Sequence, residues 1–174
     1  ISDSDNLVSR DTNESEDLFI RDRQNGTTVK IPNNNAVEQY FGGPSVSDNG
    51  RYIAFWAFYS FDVDEDEDDI NGFFVYDRQN GSLQLLHEVI DPSNYYYSEP
   101  EISGDGRYFT FYSDSDFLVE EDNNGLSDAF VFDRQNNTIK LISTASDGTQ
   151  GNGDSYSDSP PSISTNGRYI AFES

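Results

Sequence analysis

No cysteine occurs among the 174 residues, which excludes disulfides and thiolate metal sites. Lysine is almost missing as well: Lys30 and Lys140 are the only two. Ten Lys and Arg stand against 33 Asp and Glu, a formal net charge of −23. A surface this acidic repels nucleic acid and anionic membranes, so neither is expected as a partner. No run of about 18 apolar residues is present, so no membrane insertion by a helix is expected. No signal peptide is visible, and the chain begins with Ile1 rather than Met, which points to a processed, excised or partly observed chain. There is one histidine, His87, and no Ser–His–acid order stands out among so many Ser and Asp. No catalytic residue and no organic cofactor is therefore expected.

What is present is aromatic. Hydrophobic residues make up only 34% of the chain, yet 13 Phe and 11 Tyr supply large buriable surfaces suited to strands. Scattered apolar residues at this net charge would mean disorder. Here they fall in short blocks of strand length. The excess acid has two readings that stay open: it solvates a protein living in salt or outside the cell, or part of it binds cations.

The blocks repeat. Pro44-Ser-Val-Ser-Asp-Asn-Gly-Arg-Tyr-Ile-Ala-Phe55 recurs as Pro100-Glu-Ile-Ser-Gly-Asp-Gly-Arg-Tyr-Phe-Thr-Phe111 and as Pro161-Ser-Ile-Ser-Thr-Asn-Gly-Arg-Tyr-Ile-Ala-Phe172. Each copy reads as a short strand, a tight Asn-Gly or Asp-Gly turn and a longer apolar strand. A second block, Phe19-Ile-Arg-Asp-Arg-Gln-Asn-Gly-Thr27, recurs from Phe74 and from Phe130. Its aspartates, Asp22, Asp77 and Asp133, lie 55 and 56 residues apart, while Gly50, Gly106 and Gly167 lie 56 and 61 apart. Two independent markers thus share one period.

Each unit reads as four strands, for example Ser45–Ser47, Arg51–Ala57, Phe73–Asp77 and Ser82–Leu86. The second strand is apolar almost without interruption, the pattern of a strand covered on both faces. The fourth mixes polar and apolar residues, as an outer edge does. The connectors Pro32–Gly43, His87–Glu99 and Ser143–Ser159 read as surface loops. No segment has a helical period. Four strands per repeat, each sheet buried against its neighbours, describe an all-β protein of β-propeller blades built from four-stranded antiparallel sheets.

The run Pro-x-x-Ser-x-[Asp/Asn]-Gly-Arg-Tyr-x-x-Phe, followed by an Asp/Asn/Gly loop and Phe-Val-x-Asp-Arg, resembles the WD40-like repeat of TolB-type β-propellers, the PD40 group. The connector Ser143–Asp154 is similar to that family's blade connector. The resemblance covers essentially the whole chain and implies the fold; propellers host many functions, so it implies little about activity.

On this reading residues 1–174 form a single propeller segment with three blade-equivalents: blades 44–99 and 100–160, and a third split between the two termini, 161–174 combined with 1–43. Ser2-Asp-Ser-Asp5 matches Ser113-Asp-Ser-Asp116, so Ser174 and Ser2 occupy one repeat position. Propellers close with about four to eight blades. The expected partner is therefore either the remainder of a longer propeller chain or a second copy of this one, two copies making a six-bladed homodimer. Open stacking in a larger assembly is the third solution.

The acidic loops between the second and third strands carry the candidate metal ligands. Aligned on the Asp-Arg marker, they are Asp11, Asn13 and Asp17 in one repeat, Asp66 and Asp68 in the next, and Asp122, Asn124 and Asp128 in the third. Calcium takes six to eight hard oxygens from carboxylates, amide carbonyls and backbone, and such loops supply them. The alternative is an Asx-turn loop whose Asp and Asn satisfy local backbone donors. The Asp-Arg pairs and the Arg of each Gly-Arg-Tyr read either as lining a ligand channel or as repeated blade-to-blade ion pairs. Tyr95, Tyr96 and Tyr97 are candidates for contact with a protein or glycan partner, or for packing over the blade top. The function expected is a non-enzymatic binding scaffold that is secreted, at the cell surface or periplasmic, with calcium as its one cofactor. The alternatives are a non-catalytic propeller segment of a larger hydrolase and a structural subunit assembling through open blade edges.

Overall fold

The repeated turns set the fold locally. In the first, Gly50 takes a left-handed φ of 66° and donates its N–H to the Ser47 carbonyl at 2.8 Å. The Ser47 hydroxyl donates to Asn49 Oδ1 at 2.9 Å and accepts from the Tyr52 N–H at 3.0 Å. The chain reverses and the next apolar stretch starts in register. The computed structural model describes residues 1–2, 6–8, 16–31, 38–60, 70–88 and 98–174. Among these there are twelve strands: β1 (Phe19–Asp22), β2 (Thr27–Lys30), β3 (Glu38–Val46), β4 (Tyr52–Ser60), β5 (Ile70–Asp77), β6 (Ser82–Glu88), β7 (Glu101–Ile102), β8 (Tyr108–Ser113), β9 (Asp128–Asp133), β10 (Thr138–Leu141), β11 (Ser162–Ile163) and β12 (Ile170–Ala171).

They form two four-stranded antiparallel sheets, β3-β4-β5-β6 and β7-β8-β9-β10, and two hairpins, β1-β2 and β11-β12. The outer strands β6 and β10 sit at sheet edges, alternately exposed and covered along most of their length, as their mixed sequences require. The inner strands β4 and β8 are covered on both faces.

One expectation needs correction. The connector Pro32–Gly43 reads as a loop in sequence, but β3 begins at Glu38 and pairs Glu38–Gly42 with Trp56–Ser60 before an irregularity at Gly42/Ser45. The cause lies in β4, which runs three residues past Ala57 and exposes backbone groups that need partners. The Gly42-Gly43 pair lets the added strand bend into place.

The period-two alternation sorts side chains between neighbouring sheets. On β4, Ile53, Phe55, Ala57 and Tyr59 join Phe74 and Tyr76 of β5 and meet Leu18 and Ile31, which flank the first hairpin. The intervening Ala54, with Phe73, Val75 and Leu86, faces Ile102, Phe109, Phe111, Phe130 and Phe132 of the second sheet. Phe73 lies 4.7 Å from Phe111 and 5.4 Å from Phe109, centroid to centroid, so tilted aromatic pairs join the two sheets. The remaining face of β8 meets the last hairpin: the Thr110 hydroxyl donates to the Pro161 carbonyl, and the Glu173 N–H donates to the Tyr112 hydroxyl at 2.8 Å. The order along the stack is hairpin, sheet, sheet, hairpin. The third blade-equivalent is present as two halves, one at each end.

Candidate functional site

The loop from Asp114 to Ser127 joins β8 to β9 and gathers one set of the expected oxygen ligands. Asp128, fully buried at the start of β9, accepts from the Ser143 hydroxyl at 2.5 Å on Oδ1. Its Oδ2 accepts from Asn124 Nδ2 and Gln150 Nε2, each at 2.9 Å. Asp122, 3% exposed, accepts from the same Gln150 Nε2 at 2.7 Å on Oδ1, while its Oδ2 is buried without a hydrogen-bond partner. Burial pushes the Asp122 carboxyl above its ordinary pKa; the Gln150 hydrogen bond opposes this, and the neighbouring charges of Asp128 and Asp116 add to the rise.

Asn124 is thus bonded to Asp128, and Gln150 bridges Asp122 and Asp128. Asn124 Oδ1 also accepts from the Leu126 N–H at 2.8 Å, an Asx turn that shapes the loop. Gln150 is the residue that sequence reasoning missed. It comes from the connector after β10, which folds over the loop and is tied down by Ser155 N–H to Ser127 O at 2.6 Å and Ser127 N–H to Asp154 Oδ1 at 3.1 Å. The signal was there in the Asp147-Gly-Thr-Gln150 turn, but nothing in spacing alone places it over residues 122–128.

The repeat-equivalent Asp17 has a different partner. It is buried and pairs with Lys30 Nζ at 2.5 Å, so a lysine supplies its counter-charge. Asp11, Asn13, Asp66 and Asp68 lie outside the described residues, as do Tyr95, Tyr96 and Tyr97. Among the described residues no group of three or more His, Cys, Asp or Glu is arranged to hold a metal ion. Any cation at the β8–β9 loop must therefore draw on amide and backbone oxygens besides Asp122 and Asp128.

The repeated arginines are architectural. Arg51 clamps Asp77 with Nε at 3.0 Å and NH2 at 2.8 Å; Arg107 clamps Asp133 at 3.0 and 2.7 Å. These forks join the second and third strands of one sheet, while the longer Arg78–Asp22 pair, at 4.0 Å, runs between the first hairpin and the adjoining sheet. Asp133 also accepts from the Gln135 and Asn136 backbone. The Arg107 guanidinium leads in holding its carboxyl down at about 2. The sheet-to-sheet link comes from the following residue of the marker: Arg134 donates to the Gly106 carbonyl at 3.1 Å and lies 4.1 Å over the Tyr52 ring.

Burial shifts half-buried His87 to lower pKa, opposed by the neighbouring charge of Glu88. Among the described residues are open clefts of about 220 to 310 Å³. Among the described residues no helix is long and apolar enough to cross a membrane, which says nothing of a β-barrel.

Neither a protein-family model nor a curated protein matches the sequence. Among solved structures the chain is similar to TolB from Acinetobacter baumannii, at 19% identity and a TM-score of 0.52, over 94% of this chain and 33% of that one. The fold is that of a β-propeller. An oligogalacturonate lyase in complex with manganese matches at 12% identity and a TM-score of 0.46, over 88% of this chain and 36% of the lyase. A putative TolB from Agrobacterium tumefaciens matches at 17% and 0.46, over 92% and 52%. The propeller arc spans about a third of the length of the Acinetobacter TolB. The likeness concerns architecture alone: a β-propeller arc with two four-stranded sheets and two hairpins.

Proposed function

We propose that this propeller module is a non-enzymatic binding scaffold of the extracellular or envelope kind, steadied by calcium at the β8–β9 loop. One observation carries the calcium: Asp122 Oδ2 is buried without a partner, beside the buried carboxylate of Asp128 and within the field of Asp116. A carboxylate so placed costs stability unless a cation or a proton neutralises it. Calcium suits the surroundings, because hard oxygens are what the loop offers. Gln150 is the adjustable element. Turning its amide exchanges the Nε2 donor for the Oε1 acceptor and gives the ion a neutral ligand between the two carboxylates. The scaffold role is supported by the use of the repeated charged residues, whose Arg–Asp forks and Arg–aromatic stacks hold the blades.

Thermal unfolding with millimolar calcium, with a chelator, and with magnesium alone tests this. Saturation at a hundred times Kd adds about 2.7 kcal/mol, a rise of roughly 5–10 °C for a chain of this size. Asp122→Asn is expected to abolish the calcium-dependent rise while leaving the chelated protein as stable as before or more so. A melting temperature indifferent to calcium, or an Asp122→Asn protein that still responds, overturns the site.

A further inference from the structure

The two end faces of the stack are complementary to one another, residue by residue, and we propose that a second copy of this chain joins them. In the two complete blades, Arg51 clamps Asp77 and Arg107 clamps Asp133. The third arginine, Arg168 on the last hairpin, forms no ion pair among the described residues; it lies over its own Tyr169 ring at 5.0 Å. The third aspartate, Asp22 on β1, has no strand-two arginine; its oxygens accept from Gln24 and Asn25 in its own turn, with Arg78 at 4.0 Å. One face therefore carries the fork and the other its receiver.

The ring contacts repeat the pattern. Gly106 and Gly167 sit so close to the Tyr52 and Tyr108 rings of the preceding blade that a Cβ at either would run into the ring. Gly50, the same position in the first complete blade, meets no ring, and Tyr169, the same tyrosine in the last hairpin, is 63% exposed. Val46 is 57% exposed, whereas its equivalent Ile102 is 6% exposed and its N–H donates to Ser45 Oγ of the blade before. Beside Gly50 and Val46 lies a cleft of about 310 Å³ floored by Leu18, Ile20 and Ile53. It is the place a β11–β12 hairpin occupies in the repeat.

The register follows from the complete blades, where Tyr52 pairs with Asp77 and Phe55 with Phe74, and Tyr108 with Asp133 and Phe111 with Phe130. Tyr169 of one copy then pairs with Asp22 of the other, Ala171 with Ile20 and Phe172 with Phe19. Arg168 clamps Asp22 across the junction, and Tyr169 covers Gly50 under Arg78. Ser2 already bridges Asp17, where Ser113 bridges Asp128. Two such junctions close a ring of six blades, within the range propellers adopt. The interface is isologous, each copy lending its last hairpin to the other's first.

Sedimentation equilibrium of the 174-residue chain tests the ring. A species of twice 19.6 kDa is expected at micromolar concentrations, tightening with added salt because the two acidic bodies repel. Arg168→Glu is expected to weaken association by about tenfold or more per junction, with the monomer's melting temperature unchanged, since Arg168 pairs with no carboxylate among the described residues. A mixture of Ala171→Cys and Ile20→Cys chains is expected to form a disulfide dimer that neither forms alone; the parent has no cysteine to compete. A stable 19.6 kDa species throughout, a ladder of larger assemblies, or cross-linking indifferent to mixing overturns the ring of two.

Discussion

Phe111 and Phe172 occupy the same repeat position, and replacing each by alanine separates what the residue does from what its neighbours do. Phe111 is fully buried; its ring is 4.7 Å from Phe73 of the adjoining blade and 5.6 Å from Phe130 of its own sheet. Truncation removes those partners and leaves a cavity that welded sheets cannot collapse. Such a change costs about 3–5 kcal/mol, or roughly 6–20 °C for a chain of this length. Phe172 is 38% exposed and makes no aromatic pair among the described residues. Its truncation removes much less contact and is expected to cost about 1 kcal/mol, by area. Urea unfolding followed by circular dichroism, at concentrations low enough to keep copies apart, gives both values. Phe111→Leu serves where the alanine variant does not fold. Equal losses at the two positions would refute the reasoning, because identical sequence context would then outweigh packing. Raising the concentration supplies a further check: the cost at Phe172 should grow as a second copy brings Phe19 against it.

The remaining predictions concern charge and backbone. Asp133 is held at about 2 in the folded chain, so its contribution is complete above its ordinary value near 3.8 and is lost as pH falls toward 2. Arg107→Ala should shift the acid-unfolding midpoint upward and lower stability at neutral pH only modestly, because the pair is screened by solvent. Asp122 has the opposite sign: its pKa is raised, so stability in chelator falls as pH rises through its titration, and Asp122→Asn should remove that slope. Gly106 combines a φ of 75° with the Tyr52 ring against it, so Gly106→Ala should cost about 2–4 kcal/mol, from left-handed strain and overpacking together. A loss under half that, measured by urea unfolding, would mean that the Tyr52 ring moves aside freely.

Much of the local architecture was legible because it is enforced locally. Turn glycines and the alternation of apolar residues report on a few neighbouring residues, and both recur at one period. The length of β3 was not legible, because it answers backbone groups that only the extended β4 exposes. The oxygen-bearing side chains of Asp122, Asn124 and Asp128 were legible in the loop, but not Gln150, which reaches Asp122 and Asp128 from the next connector. Asp17 illustrates the limit: it matches Asp128 in sequence, yet folding sets Lys30 beside it.

By itself, then, the sequence determined the strand content, the blade period, the hairpin turns and the absence of disulfide or helical alternatives, since each depends on residues close along the chain. Only the tertiary structure decided which carboxylate is buried without a partner, that the Arg–Asp forks lie within blades, and that the half-blades stand at opposite ends of the stack. Those are questions of which surfaces meet, and copies of one repeat read alike until their neighbours are in place.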